Sequence, residues 1–227
     1  MRPDLNPDEC RVLGTLIEKA QTTPNQYPLT LNSLVTGVNQ KSNRWPVVTI
    51  DEMQALRALD GLRAKGLVRE VSMSGSRVEK FRHVARDAMG VGTNELVLLT
   101  ELMLRGPQTV GELRSHAARL ATFPSMEAVE AVLHEMSKAA PPLVRELPPA
   151  PGSRAPRWAQ LLCPSLHPLD APAPSGDEGG SSGGGGSALA DLEARFESRL
   201  AAIETELTAK IEDLAKQVTD LKRSLGA

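Results

Sequence analysis

The chain has 227 residues, 41% hydrophobic but only 3% aromatic, so any core must be built from Leu, Val, Ala, Ile and Met. Its net charge of −2 excludes a uniformly basic protein, yet charge is unevenly spread: residues 1–90 carry +3, residues 91–168 are neutral and residues 169–227 carry −5. The polar start MRPDLNPDEC is no signal peptide, and no run approaches the ~20 apolar residues of a membrane span, so a soluble, cytoplasmic protein is expected.

In chain order, the first predicted helix carries Val12, Leu13, Leu16 and Ile17 at helical spacing. Thr30 then caps a short second helix, and Thr49 with Glu52 has the pattern of a capping box opening a third. Leu67–Val71 and residues 77–84 form two strands around the turn-rich SMSGS. The same order then recurs. Leu98, Leu99, Leu102 and Met103 repeat the first helix, Thr109 caps the second, Ser125 opens the third, and Leu143–Leu147 with Arg157–Leu162 repeat the hairpin. Three helices and a two-stranded hairpin is the order of a winged helix, in which the second and third helices form a helix-turn-helix and the hairpin is the wing.

The fold expected is therefore mainly α with small β-hairpins (α+β). Two tandem winged-helix domains, 1–90 and 91–168, are followed by a Gly/Ser/Pro-rich flexible linker, 169–187, and a C-terminal helix, 188–227. That helix lacks interior Gly and Pro until its last turn, and its narrow apolar stripe has mainly an eleven-residue repeat. This suits a coiled coil and homo-oligomerisation, with docking onto the chain's own globular part as the alternative. Aligning the two copies places seven extra residues of the first before its second helix and three more before its third, in or near NQKSNRWPVV. Insertions in surface loops on a rigid scaffold often carry function.

The stretches Tyr27–Val47 (YPLTLNSLVTGVNQKSNRWPV) and Arg105–Leu120 (RGPQTVGELRSHAARL), with the terminal coiled-coil pattern, resemble the YceH family of uncharacterised bacterial proteins. The resemblance runs from Leu5 to about Pro164 and takes in the C-terminal helix. It implies tandem winged helices and carries no established activity. It also leads one to expect an acidic residue where Trp45 precedes Pro46.

Nothing in the sequence converges as an enzyme site. His83, His116, His134 and His167 are scattered, with no metal-ligand spacing, and no phosphate-loop or nucleophile-elbow motif occurs, so neither enzyme activity nor a cofactor is expected. Cys10 and Cys163 both fall in apolar patterns and read as buried free thiols rather than a disulfide or metal pair. Candidate contacts to DNA or another partner are Asn39, Gln40, Lys41, Ser42, Asn43 and Arg44 before the third helix, and Arg69, Arg77, Lys80 and Arg82 on the first wing. Against DNA stand Asp51 and Glu52 in the first turn of the recognition helix, and Glu127, Glu130 and Glu135 in its counterpart. Two functions remain: a DNA-associated regulator acting through the first domain, or a tandem winged-helix adaptor that binds proteins. Trp45 is expected to cover the end of the adjacent helix core, Trp158 to be core, and Tyr27 to anchor its loop by packing.

Overall fold

Asparagine 6 starts the first helix by closing a reciprocal cap: its Oδ1 accepts the Glu9 N–H at 2.9 Å and Glu9 Oε2 accepts the Asn6 N–H at 2.8 Å. In the computed structural model, which describes residues 2–72 and 78–167, this helix is α1 (Pro7–Thr22). Then come β1 (Leu29–Thr30), α2 (Leu31–Val38), α3 (Glu52–Ala64), β2 (Val68–Val71) and β3 (Lys80–His83). A short α4 (Ala85–Met89) leads to the second copy: α5 (Thr93–Arg105), β4 (Gln108–Thr109), α6 (Val110–Ala117), α7 (Met126–Lys138), β5 (Val144–Leu147) and β6 (Arg157–Gln160). The architecture is thus mixed α+β, with seven α-helices and two small antiparallel sheets among the described residues. Arg77, the whole expected linker 169–187 and the expected C-terminal coiled-coil helix 188–227 lie outside the described residues.

The sheets are larger than hairpins. Each has three strands, ordered β1-β3-β2 and β4-β6-β5, because the two residues before the second helix of each copy pair with the hairpin. Leu29 lies opposite Phe81, and Gln108 opposite Trp158. The caps Thr30 and Thr109 hold as the sequence predicts, each accepting a backbone N–H through its hydroxyl. The third helix does not start at Thr49. Its cap is Asp51, whose Oδ1 accepts the Gln54 N–H at 2.7 Å while Gln54 Oε1 accepts the Asp51 N–H at 2.9 Å. The segment joining α2 to α3 consequently spans residues 39–51, against 118–125 between α6 and α7, five residues longer rather than three.

The two copies meet through their first helices. Ten consecutive residues of α1, Glu9–Glu18, and nine of α5, Leu96–Leu104, are buried, so each helix is covered on all sides. Val12, Leu13, Leu16 and Ile17 on α1 and Leu98, Leu99, Leu102 and Met103 on α5, all fully buried, join one continuous core. Trp158, at 2% exposure, belongs to it as the sequence predicts. Tyr27 anchors its loop through a hydroxyl that accepts the His83 N–H at 2.6 Å. Both cysteines are buried and free.

The close approach of α1 to α5 requires a residue without a side chain at position 14, where a Cβ would lie 2.9 Å from Leu104 Cδ2 and 3.1 Å from Leu104 Cγ. Gly14→Val is expected to destabilise the fold by about 1–3 kcal/mol through overpacking. Chemical denaturation checks this, the midpoint falling without a change in the dependence on denaturant.

Candidate nucleic-acid interface

A seam between two buried helices is a costly place for charge, yet Arg11 and Glu18 of α1 and Glu101 of α5 are all within it. Each must find partners inside the protein. Arg11, fully buried, donates through Nη1 to Leu104 O at 3.2 Å and through Nη2 to Pro46 O at 2.6 Å. Leu104 O also accepts the Trp45 N–H at 2.8 Å, so the 39–51 segment of the first copy caps a carbonyl in the last turn of α5. Burial, and then the charge of Arg44, pushes the Arg11 guanidinium down to about 10.

Glu18 and Glu101 are satisfied by a closed ring. Arg44 reaches Glu18 with both ends of its fork, Nη2 to Oε2 at 2.5 Å and Nη1 to Oε1 at 3.2 Å. Arg119 bridges the two acids, 2.7 Å from Glu18 Oε1 and 2.9 Å from Glu101 Oε1. Arg105 binds Glu101 at 3.0 Å and donates to Asn43 Oδ1 at 2.5 Å, returning to the residue beside Arg44. Burial alone would raise the Glu18 carboxyl; Arg44, Arg119 and Lys19 outweigh it and hold the group below the usual range.

The segment expected to face a partner therefore faces the second copy. Arg44, at 6% exposure, is corrected from a surface cation to an interior one, since it also donates to Gly37 O and Asn43 O. Asn39 is spent on the backbone of Ile50, accepting its N–H at 2.8 Å and donating to its carbonyl at 2.9 Å. Gln40 Oε1 accepts from Lys19 and Arg44, each at 3.2 Å. Asn43, exposed but tied to Arg105, adopts the left-handed conformation, φ 59°. Only Lys41 and Ser42 of the six are exposed and make no hydrogen bond or ion pair among the described residues.

Trp45 completes the seam, stacked on His167 with ring centroids 5.3 Å apart. His167 Nε2 donates to the Trp45 carbonyl at 2.6 Å. Gly106 leaves room for the ring: its φ is +80°, and a Cβ there would lie 2.6 Å from Trp45 Cε3. Burial first, then the Arg11 charge, push the His167 imidazole down to about 4, and its Nδ1 has no hydrogen-bond partner among the described residues.

The cations of β2 and β3 stand elsewhere. Arg69 lies directly opposite Arg82, and Lys80 opposite Val71 and Thr30, so all three cations project from one face of the sheet while Val68 and Phe81 fill the other. Arg69 and Arg82 are exposed, Lys80 is half-buried, and none has an ion-pair partner among the described residues. The second copy has no such face: Ala159 stands opposite Arg145, and Arg157 is buried. On α3, Asp51, Glu52, Met53, Arg57 and Asp60 are exposed, and Arg63 is held by Asp60 and Glu70. Among the described residues no group of three His, Cys, Asp or Glu is placed to hold a metal ion, and no helix is long and apolar enough to cross a membrane.

The sequence profile of the family described as "Protein of unknown function, DUF480" matches residues 5–153, taking in the first copy and the second through β5. The chain belongs to the DUF480 family. YceH, whose motifs the sequence resembles, is a member of it. The chain is similar to a UPF0502 protein of Burkholderia pseudomallei strain 668, 42% identical over 223 residues, 98% of this chain and 90% of that one. It is also similar to those of Geobacter sulfurreducens, 49% identical over 172 residues (75% and 78%), and Dechloromonas aromatica, 52% over 161 residues (70% and 75%). In this DUF480 chain the sequence reading missed Arg11, Glu18, Glu101, Arg105 and Arg119 as seam residues. For Arg11 the signal was there: it stands between Cys10 and Val12, a charge within a run of apolar helix positions.

Two outcomes follow for the DUF480 seam. Arg44→Ala, which leaves buried Glu18 short of its bidentate partner, is expected to cost about 3 kcal/mol by urea denaturation, whereas Lys41→Ala stays within about 0.5 kcal/mol. His167 and His83 both have folded-state values of about 4, below the ordinary 6.5. Between those values the unfolded chain binds more protons, so stability is fully present above about 6.5 and falls as pH drops toward 4. Urea midpoints across that window measure it, with a shallower fall in His167→Gln.

Proposed function

We propose that this chain is a non-catalytic tandem winged-helix protein that associates with double-stranded DNA through the wing of its first copy, β2–β3. The observation that carries the reading is the Arg69–Arg82 pair. Two like charges directly opposed across an antiparallel ladder repel each other, and with Lys80 on the same face and no ion-pair partner for any of the three among the described residues, a bound anion relieves the repulsion. A wing laid along a duplex supplies such anions at regular spacing as phosphates. The order of helices and strands in each copy, with α2 and α3 as a helix-turn-helix beside the wing, supports the winged-helix assignment. Lys41, exposed on the segment before α3, adds a further cation.

A second reading has its own observation. The first turn of α3 presents Asp51 and Glu52 together with Met53, a methionine 62% exposed, and Val47 just before it is 56% exposed. Acidic and apolar groups together suit a protein partner better than a groove of bases, which favours an adaptor that docks proteins on α3.

Fluorescence anisotropy with random-sequence duplex DNA at low salt separates the two. Binding should weaken with salt by roughly 0.9 in log–log slope per phosphate contact, and Arg69→Ala with Arg82→Ala should reduce the slope by about 2. An absence of binding at tens of micromolar would overturn DNA association and leave the adaptor.

A further inference from the structure

Every buried charge but one has a partner among the described residues. Lys65 reaches Glu9, two carbonyls hold Arg11, and Glu18, Arg44 and Glu101 belong to the ring. Arg157 on β6 is the exception. It is 7% exposed, its Nε and Nη1 are shut off from solvent, and neither has a hydrogen-bond partner among the described residues. No ion pair reaches it there either. A guanidinium stays charged at neutral pH, so its burial is not relieved by losing a proton. Donors left empty away from water are costly, and such a group calls for an acceptor.

The strand ladder gives its neighbours. Thr109 stands opposite Arg157 on β4 and Leu147 opposite it on β5, while Ala159, two residues along, stands opposite Arg145. Residues opposite each other or two apart share one face of a sheet, so this face has two arginines and no acid among Thr109, Leu147 and Ala159. Arg145 is exposed, so one arginine of the pair stands at the surface and the other in the interior. Glu146 lies opposite Trp158, on the other face. Glu112 is committed to the cap of α6, its Oε2 accepting the Thr109 N–H at 2.7 Å and the Thr109 hydroxyl at 2.8 Å. The first copy has Lys80 at the same ladder position, opposite Thr30 and Val71, but there the cation is only half-buried.

We infer that Arg157, with Arg145 at the surface, binds a phosphate dianion, either the free ion or the phosphomonoester of a small molecule. The second pKa of about 6 leaves such a group doubly charged at neutral pH. Two guanidiniums on a face without acids match that charge better than they match a carboxylate, and the arginine fork donates parallel N–H bonds to two of its oxygens.

The test uses the full chain in phosphate-free buffer, with inorganic phosphate and glycerol phosphate as probes followed by phosphorus NMR. Saturable binding is expected with a dissociation constant of about 1 mM, the scale of two or three charge-assisted hydrogen bonds. Arg157→Met should weaken it about tenfold or more, whereas Arg69→Ala with Arg82→Ala should leave it unchanged. Tighter binding of glycerol phosphate assigns a phosphomonoester as the ligand, and tighter binding of inorganic phosphate the free ion. Should Arg157→Met fail to fold, Arg157→Lys keeps the charge, loses the fork and is also expected to bind more weakly. No saturable binding to the wild type, or unchanged binding in the Arg157 variant, would overturn the site. So would a wild type that ignores both probes while Arg157→Met lowers the salt slope of duplex DNA binding by about 1, since Arg157 would then be a backbone contact. A chain that binds phosphate but no duplex would sink the DNA reading and leave this site standing.

Discussion

The bidentate pair between Arg44 and Glu18 is the constraint from which most of this fold follows. Both side chains are buried, at 0% and 1% side-chain exposure, and removing either partner would strand a charge in the interior. Such a pair is tolerable when most of its remaining donors and acceptors are also met. Here all but Arg44 Nε find partners among the described residues, drawn from both copies: Gly37 O, Asn43 O and Gln40 Oε1 from the first, Arg119 from the second. Arg119 then needs Glu101, Glu101 needs Arg105, and Arg105 returns to Asn43. Closing this ring fixes how α1 lies on α5, and with it the need for Gly14 where the helices touch and for Gly106 under Trp45. It also accounts for the five extra residues between α2 and α3, which let the first copy reach the C-terminal end of α5.

How much of this was legible in the sequence depends on which force set each feature. Hydrophobic periodicity placed Val12, Leu13, Leu16 and Ile17 and their counterparts on α5 in the core, and the short-range chemistry of Thr30 and Thr109 located two caps. The start of α3 was misplaced because Thr49-x-x-Glu52 and Asp51-x-x-Gln54 both fit a capping box. Local pattern does not choose between them; tertiary structure does, by burying Ile50 and clamping its backbone with Asn39. The stretch NQKSNRWP was misread for a related reason. Its polar composition shows that it makes hydrogen bonds, but which side of the chain it makes them on depends on what lies across the seam. β1 and β4 were missed because two residues of strand carry no periodicity of their own.

The two copies share an architecture and divide the work. The first keeps on its sheet three cations without an ion-pair partner among the described residues, Arg69, Lys80 and Arg82, while the second offers Ala159 and a buried Arg157 there. The second copy contributes Glu101, Arg105 and Arg119 to the ring and His167 to the stack on Trp45. This asymmetry supports the proposal that the first copy touches a partner while the second braces it.

The central claim is that the ring makes the two copies one cooperative body, and differential scanning calorimetry tests it most directly. The account predicts that the copies unfold in one transition whose calorimetric and van't Hoff enthalpies agree. Two resolved transitions, one for each copy, would contradict it.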